Sequence, residues 1–105
     1  MYDGDRKLEK DTIDIENAGA TVAVKMHGAT LLSLSIRGDG TAEYVLDARL
    51  DGSDDWTQDI DTTYTGASDY DDTTETGMPE VRVRCITGTG TADDTAEVKL
   101  AAGGG

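Results

Sequence analysis

Side chains able to do chemistry are few in this sequence and uneven in kind. One histidine, His27, and one cysteine, Cys85, stand against 22 acidic residues. Acyl transfer would need a nucleophile, a base in reach of it and donors for an oxyanion, and His27 and Cys85 supply no such set. His27 falls at the end of a strand-like run and reads as solvated. Cys85 sits in VRVRCIT at an apolar-phase position. It reads as a small buried hydrophobe, because nothing nearby would lower a thiol pKa. Glycoside hydrolysis would need a selected pair of carboxylates, and no spacing selects one. No catalytic residue is assigned, and an enzyme is not expected.

Cation chemistry is the next reading to weigh. Asp51, Ser53 and Asp55 have the spacing that opens an EF-hand loop, but Trp56 stands where that loop needs glycine and Thr62 where it needs glutamate. Looser sets, Asp51, Asp54, Asp55 and Asp59 or Asp69, Asp71 and Asp72, leave room for weakly held cations only. No cofactor is expected.

The basic residues are more ordered than the acids. Six of the nine, Lys25, Arg37, Arg49, Arg82, Arg84 and Lys99, fall at polar-phase strand positions, while the acids gather in turns. One reading is cross-strand pairing with Glu43, Asp47 and Glu97 on solvent faces. The other is a guanidinium-rich face that docks on an acidic neighbour. Arg37-Gly38-Asp39 spells an adhesion tripeptide, but it lies at a hairpin tip where Gly-Asp-Gly is ordinary turn chemistry.

The composition narrows the partners. The 105 residues carry a net charge of −13 and have no Phe. Such charge disfavours binding to phosphate backbones, so nucleic acid is not an expected partner. It also repels itself in dilute buffer and is screened at molar salt, which points to work at high ionic strength. A core made from Val, Leu, Ile, Ala and Met is thin and would gain from a neighbouring subunit. No secretory signal or membrane-length apolar run is visible, so no membrane partner is expected.

The elements that must position these residues are strands. Thr41 to Trp56 is the central one: Ala42, Tyr44, Leu46, Ala48 and Leu50 form the buried row, and Trp56 re-enters after the Asp51–Asp55 turn to cap the core. Ile13 and Ile15, then Val22, Val24 and Met26, then Leu32, Leu34 and Ile36 give earlier apolar rows. Short strands toward Ile60 and at Thr62–Thr65 follow. Residues 66–79 lack periodicity and read as the longest loop. Val81, Val83 and Cys85, then Ala96, Val98 and Leu100, complete the rows. Residues 1–10 read as an N-terminal arm, 11–102 as one domain and 103–105 as a flexible glycine tail. The fold class is all-β, an antiparallel sandwich of jelly-roll kind with about eight strands.

Three segments together resemble structural proteins of tailed viruses. They are the Leu50-Asp51-Gly52-Ser53…Trp56 turn, the Gly77-Met78-Pro79-Glu80-Val81-Arg82-Val83-Arg84 run, and the closing Gly88-Thr89-Gly90 with Val98-Lys99-Leu100. The resemblance spans roughly Thr21 to Ala102. Arg49 stands where serine is common, and the spacing from Gly52 to Trp56 is one residue longer than the tight form. With the acidic composition, the resemblance implies a virion protein of a virus infecting a halophilic archaeon, on the head surface as a decoration or vertex protein, or less commonly in the tail. Its implied partners are the major capsid protein, other virion proteins and further copies of itself. Candidate subunit-interface residues are Tyr2, Leu8, Lys25, Arg49, Arg82, Arg84 and Lys99. Discoidin-like sugar-binding sandwiches carry a related hairpin. The alternative is therefore a glycan-binding module of a virion or archaeal surface protein, with Trp56, Tyr64 and Tyr70 as receptor contacts.

Overall fold

The computed structural model describes residues 7–38, 41–50, 55–57 and 69–103, the side chains of Lys7, Asp69 and Tyr70 excepted. Seven strands run through them: β1 (Lys7–Asp14), β2 (Thr21–Lys25), β3 (Leu31–Gly38), β4 (Glu43–Arg49), β5 (Asp69–Glu75), β6 (Glu80–Thr87) and β7 (Thr95–Gly103). They form a four-stranded sheet in the order β1-β7-β3-β5 and a three-stranded sheet in the order β2-β6-β4, with every pair antiparallel. Successive strands alternate between the sheets, which is the winding of a jelly roll. The strands expected at Ile60 and at Thr62–Thr65 lie outside the described residues.

Alternation along each strand builds the core. Val22 and Val24, Leu32, Leu34 and Ile36, Tyr44, Leu46 and Ala48, Val81, Val83 and Cys85, and Ala96, Val98, Leu100 and Ala102 all point between the sheets and are buried. Tyr44 and Met26 supply much of the bulk that the missing Phe would give. Burial of Cys85 pushes its thiol above the usual value, and the Thr87 carbonyl accepts from its Sγ at 3.4 Å.

The edges and turns depart from the sequence reading in five places. β1 begins at Lys7 and pairs with β7 from Lys7↔Ala102 onward, so residues 7–10 of the expected arm are strand; Gly103 is likewise the last residue of β7. Residues 66–79, expected as a loop, contain β5. An edge strand is held by backbone pairing to one neighbour and needs no apolar row, so DYDDTTE gives no periodic signal. Leu50, expected in the buried row, is 64% exposed because β4 ends at Arg49. Trp56, expected to cap the core, is only half-buried. It lies beside the outer face of the three-stranded sheet, held there by the antiparallel bridge between Thr57 and Ala48.

The turn at Gly88 to Gly90 packs against the start of the chain. The Ile15 and Glu16 carbonyls accept from the amides of Thr89 and Gly90 at 2.9 and 3.0 Å. A Cβ on Gly88 would collide with the Glu16 carbonyl oxygen, so this position requires glycine for space.

Candidate functional site

The outer face of the three-stranded sheet is where the basic residues and the tryptophan meet. Register sets three rows across β2, β6 and β4: Thr21–Arg84–Val45, Ala23–Arg82–Asp47 and Lys25–Glu80–Arg49. Directly paired residues share a face, so charges of opposite sign lie side by side in the second and third rows.

Asp47 is the centre of this face. Sequence alternation placed it on a wet surface, yet its side chain is fully enclosed. Its Oδ2 accepts from Arg82 Nε at 2.8 Å and from Arg84 Nε at 2.7 Å, and its Oδ1 accepts from Arg84 Nη2 at 3.3 Å. Two guanidinium groups thus offset the desolvation of one carboxylate. Neighbouring Val45 is also buried on this outward phase, so β4 is covered on both faces. In the third row, Arg49 Nε donates to Glu80 Oε1 at 2.7 Å.

Trp56 joins the rows. The guanidinium carbons of Arg49 and Arg82 lie 4.4 and 4.3 Å from the centre of its ring. Both contacts fall within the range of cation–π attraction. Arg82 therefore bonds Asp47 through Nε while its plane covers the indole, and Arg49 does the same with Glu80. The result is a braced layer of three arginines, two carboxylates and one indole.

The remaining candidates are dispersed. Lys25 ends β2 and lines a shallow cleft of about 210 Å³ with His27, Gly28 and Pro79. His27 is exposed, as expected, and takes a left-handed φ of 51° in the turn after β2. Lys99 lies on the opposite sheet, where Glu97 is 3.8 Å from Lys99 Nζ and 3.5 Å from Lys10 Nζ. Leu8 is 62% exposed on β1 of that sheet. Arg37, also there, donates to Asp71 at 2.7 Å, which ties the first residue of the adhesion-like tripeptide to β5. The six basic residues therefore occupy both outer faces of the sandwich. Tyr2 and Tyr64 lie outside the described residues, as does the side chain of Tyr70, whose backbone pairs with Ile36.

Cross-strand pairing accounts for much of this arrangement, with partial changes of partner. Asp47 pairs across strands as expected, whereas Glu97 contacts Lys99 on its own strand and finds its cross-strand partner in Lys10, and Glu43 accepts from the Thr87 hydroxyl at 2.6 Å. Glu80 was missed as the partner of Arg49. Its signal was present in the sequence, because it continues the outward phase of Arg82 and Arg84. No group of three or more histidine, cysteine or acidic side chains is placed to hold a metal among the described residues. Asp71 is engaged by Arg37, and Asp72 accepts from the Thr73 amide at 2.8 Å. Asp51, Asp54 and Asp59 lie outside the described residues.

Together these features define a jelly-roll sandwich with a braced arginine–tryptophan layer on one outer face. No family model matches the chain. No curated protein matches it either. Its fold is similar to that in the crystal structure of the SPBc2 prophage-derived protein YomS, with a TM-score of 0.56 at 13% identity over 90% of this chain and 94% of that one. It is also similar to the Yersinia pseudotuberculosis-derived mitogen YPM, with a TM-score of 0.51 at 10% identity over 92% of this chain and 84% of that one. At such identities the likeness is one of fold.

Proposed function

We propose that this chain is a non-enzymatic structural protein of a virus particle, a decoration or vertex protein on the head surface, working at high salt. The supporting observation is the likeness to a prophage-derived protein that spans nearly the whole of both chains. The chemistry of the outer face agrees with a structural role. Arg49, Arg82, Arg84, Asp47 and Glu80 are committed to one another, and their order stiffens a surface. In this reading the chain docks on a capsid lattice beside further copies of itself and turns acidic loops to the solvent.

The rival reading, a glycan-binding module of a virion or archaeal surface protein, needs an indole face open for stacking on a sugar ring. Two guanidinium groups already lie over the Trp56 ring, which favours the scaffold. Quantitative mass spectrometry of gradient-purified particles tests the proposal. A fixed copy number near that of the capsid protein, or a simple fraction of it, is the expected result. Absence from intact particles would overturn it.

A further inference from the structure

We infer that the open edge of β2 is a homodimer interface, at which β2 of one copy pairs antiparallel with β2 of a second copy. The inference does not depend on the virion reading and holds for any role of the chain.

A two-sheet sandwich has four outer edges, and among the described residues three of them have an outward amide already taken. On β1, the Ile15 amide donates to the Asp94 carbonyl, which fixes the phase: odd residues face β7 and the Thr12 amide faces out. That outward amide is taken by Asp11 Oδ1 at 2.8 Å. On β5, the Thr76 amide bonds to Thr30, so the Thr73 amide faces out, and Asp72 Oδ1 takes it at 2.8 Å. An aspartate capping the next residue's outward amide thus interrupts both edges of the four-stranded sheet at mid-strand, and the acids of β5 repel a like strand. At the far edge of β4, Ala48 and Thr57 exchange amide and carbonyl bonds at 2.9 and 2.7 Å.

The edge of β2 is different. The Met26 amide bonds to the Pro79 carbonyl at 2.8 Å, so Met26, Val24 and Val22 face β6. The amides and carbonyls of Thr21, Ala23 and Lys25 therefore face outward. All three residues are exposed, and no carboxylate caps them among the described residues. Backbone groups in this state are a template for strand addition.

The side chains fit a second copy of the same strand. A two-fold axis through Ala23 sets Ala23 against Ala23 and Thr21 against Lys25, with Val22 against Val24 on the inner face. No like charges meet directly, and about six backbone hydrogen bonds form. The two three-stranded sheets then become one continuous sheet.

Light scattering after size exclusion, at molar salt to screen the net charge, tests this. The expected mass is twice the 11.1 kDa of the chain. Ala23→Lys sets like charges at the axis, and Ala23→Pro removes an outward amide that makes no bond among the described residues. Each should weaken the dimer at least about tenfold while circular dichroism stays native. Ala23→Lys also lowers the net negative charge, so loss of the dimer there is not general repulsion. Thr73→Lys, on the aspartate-capped edge of β5, should leave the dimer intact. Hydrogen exchange of the native chain provides a readout without variants: the amides of Thr21, Ala23 and Lys25 should gain protection as protein concentration rises. A monomer at molar salt, a dimer unaffected by both Ala23 variants, loss of the dimer in Thr73→Lys, or exchange independent of concentration would each overturn the inference. Copy number in particles is a separate measurement, so failure here and failure of the virion reading are distinguishable.

Discussion

Asp47 on β4 and Arg84 on β6 meet diagonally, since Arg84 stands opposite Val45, through a 2.7 Å hydrogen bond between Nε and a carboxylate that has no contact with solvent. Arg82, directly opposite Asp47 and on the same strand as Arg84, donates a second bond, so two positive charges share one carboxylate. Removing the carboxylate strands two guanidinium groups that are 17% and 23% exposed. Asp47→Ala should therefore cost about 3–5 kcal/mol, the usual loss when one partner of a buried pair is deleted. Replacing Asp47, Arg82 and Arg84 together with apolar residues of similar volume should recover most of that loss. Urea midpoints of the two variants check both statements.

Trp56 stabilises the same layer from above. Each guanidinium over its ring contributes about 0.5–2 kcal/mol, according to how far it is desolvated. Trp56→Ala should lower stability by roughly 1–3 kcal/mol and make Arg49→Gln less costly in its background, with the lost bond to Glu80 as the cost that remains. A double-mutant cycle in urea measures this coupling. A coupling of zero would separate Trp56 from Arg49 energetically.

Much of the fold was legible in the sequence because its signals are local. Val81, Val83 and Cys85 alternate with Arg82 and Arg84, and that period alone gives β6 and its two faces. β5 was hidden for a physical reason: DYDDTTE carries no alternating apolar row and owes its conformation to pairing with β3. Trp56 was misplaced because an indole reads as apolar bulk, whereas here its main partners are cations brought together by the register of β4 and β6. The burial of Asp47 was equally hidden. Alternation tells which way a side chain points, and the two arginines, distant in sequence, decide whether water reaches it.

Asp71 offers a proton-linked test at the opposite sheet. Hydrogen bonds from Arg37 and then Ser35 hold its carboxyl below the ordinary value of 3.8. A depressed pKa means the folded chain binds its proton less readily than the unfolded chain. The contribution is therefore present above pH 3.8 and lost as pH falls through the lower folded value. Carboxyl-detected NMR titration should place the Asp71 midpoint below 3.8, and Arg37→Gln should move it upward. An unchanged midpoint in the variant would remove Arg37 as the main cause.

The net charge of −13 makes the sharpest demand on solution conditions. Raising salt from about 0.1 M to about 1 M shortens the screening length from roughly 10 Å to roughly 3 Å, so repulsion among exposed carboxylates fades. The same salt weakens the exposed contacts of Lys10 and Lys99 with Glu97, but such pairs contribute only about 0–1 kcal/mol. The enclosed bonds from Arg82 and Arg84 to Asp47 are screened far less, so the braced layer persists. Relief of repulsion then outweighs the loss, and the thermal midpoint should rise by about 4–8 °C for each kcal/mol gained. Thermal unfolding followed by circular dichroism across a potassium chloride series measures it. A midpoint that stays flat or falls would overturn adaptation to high salt while leaving the jelly roll and its arginine layer as described.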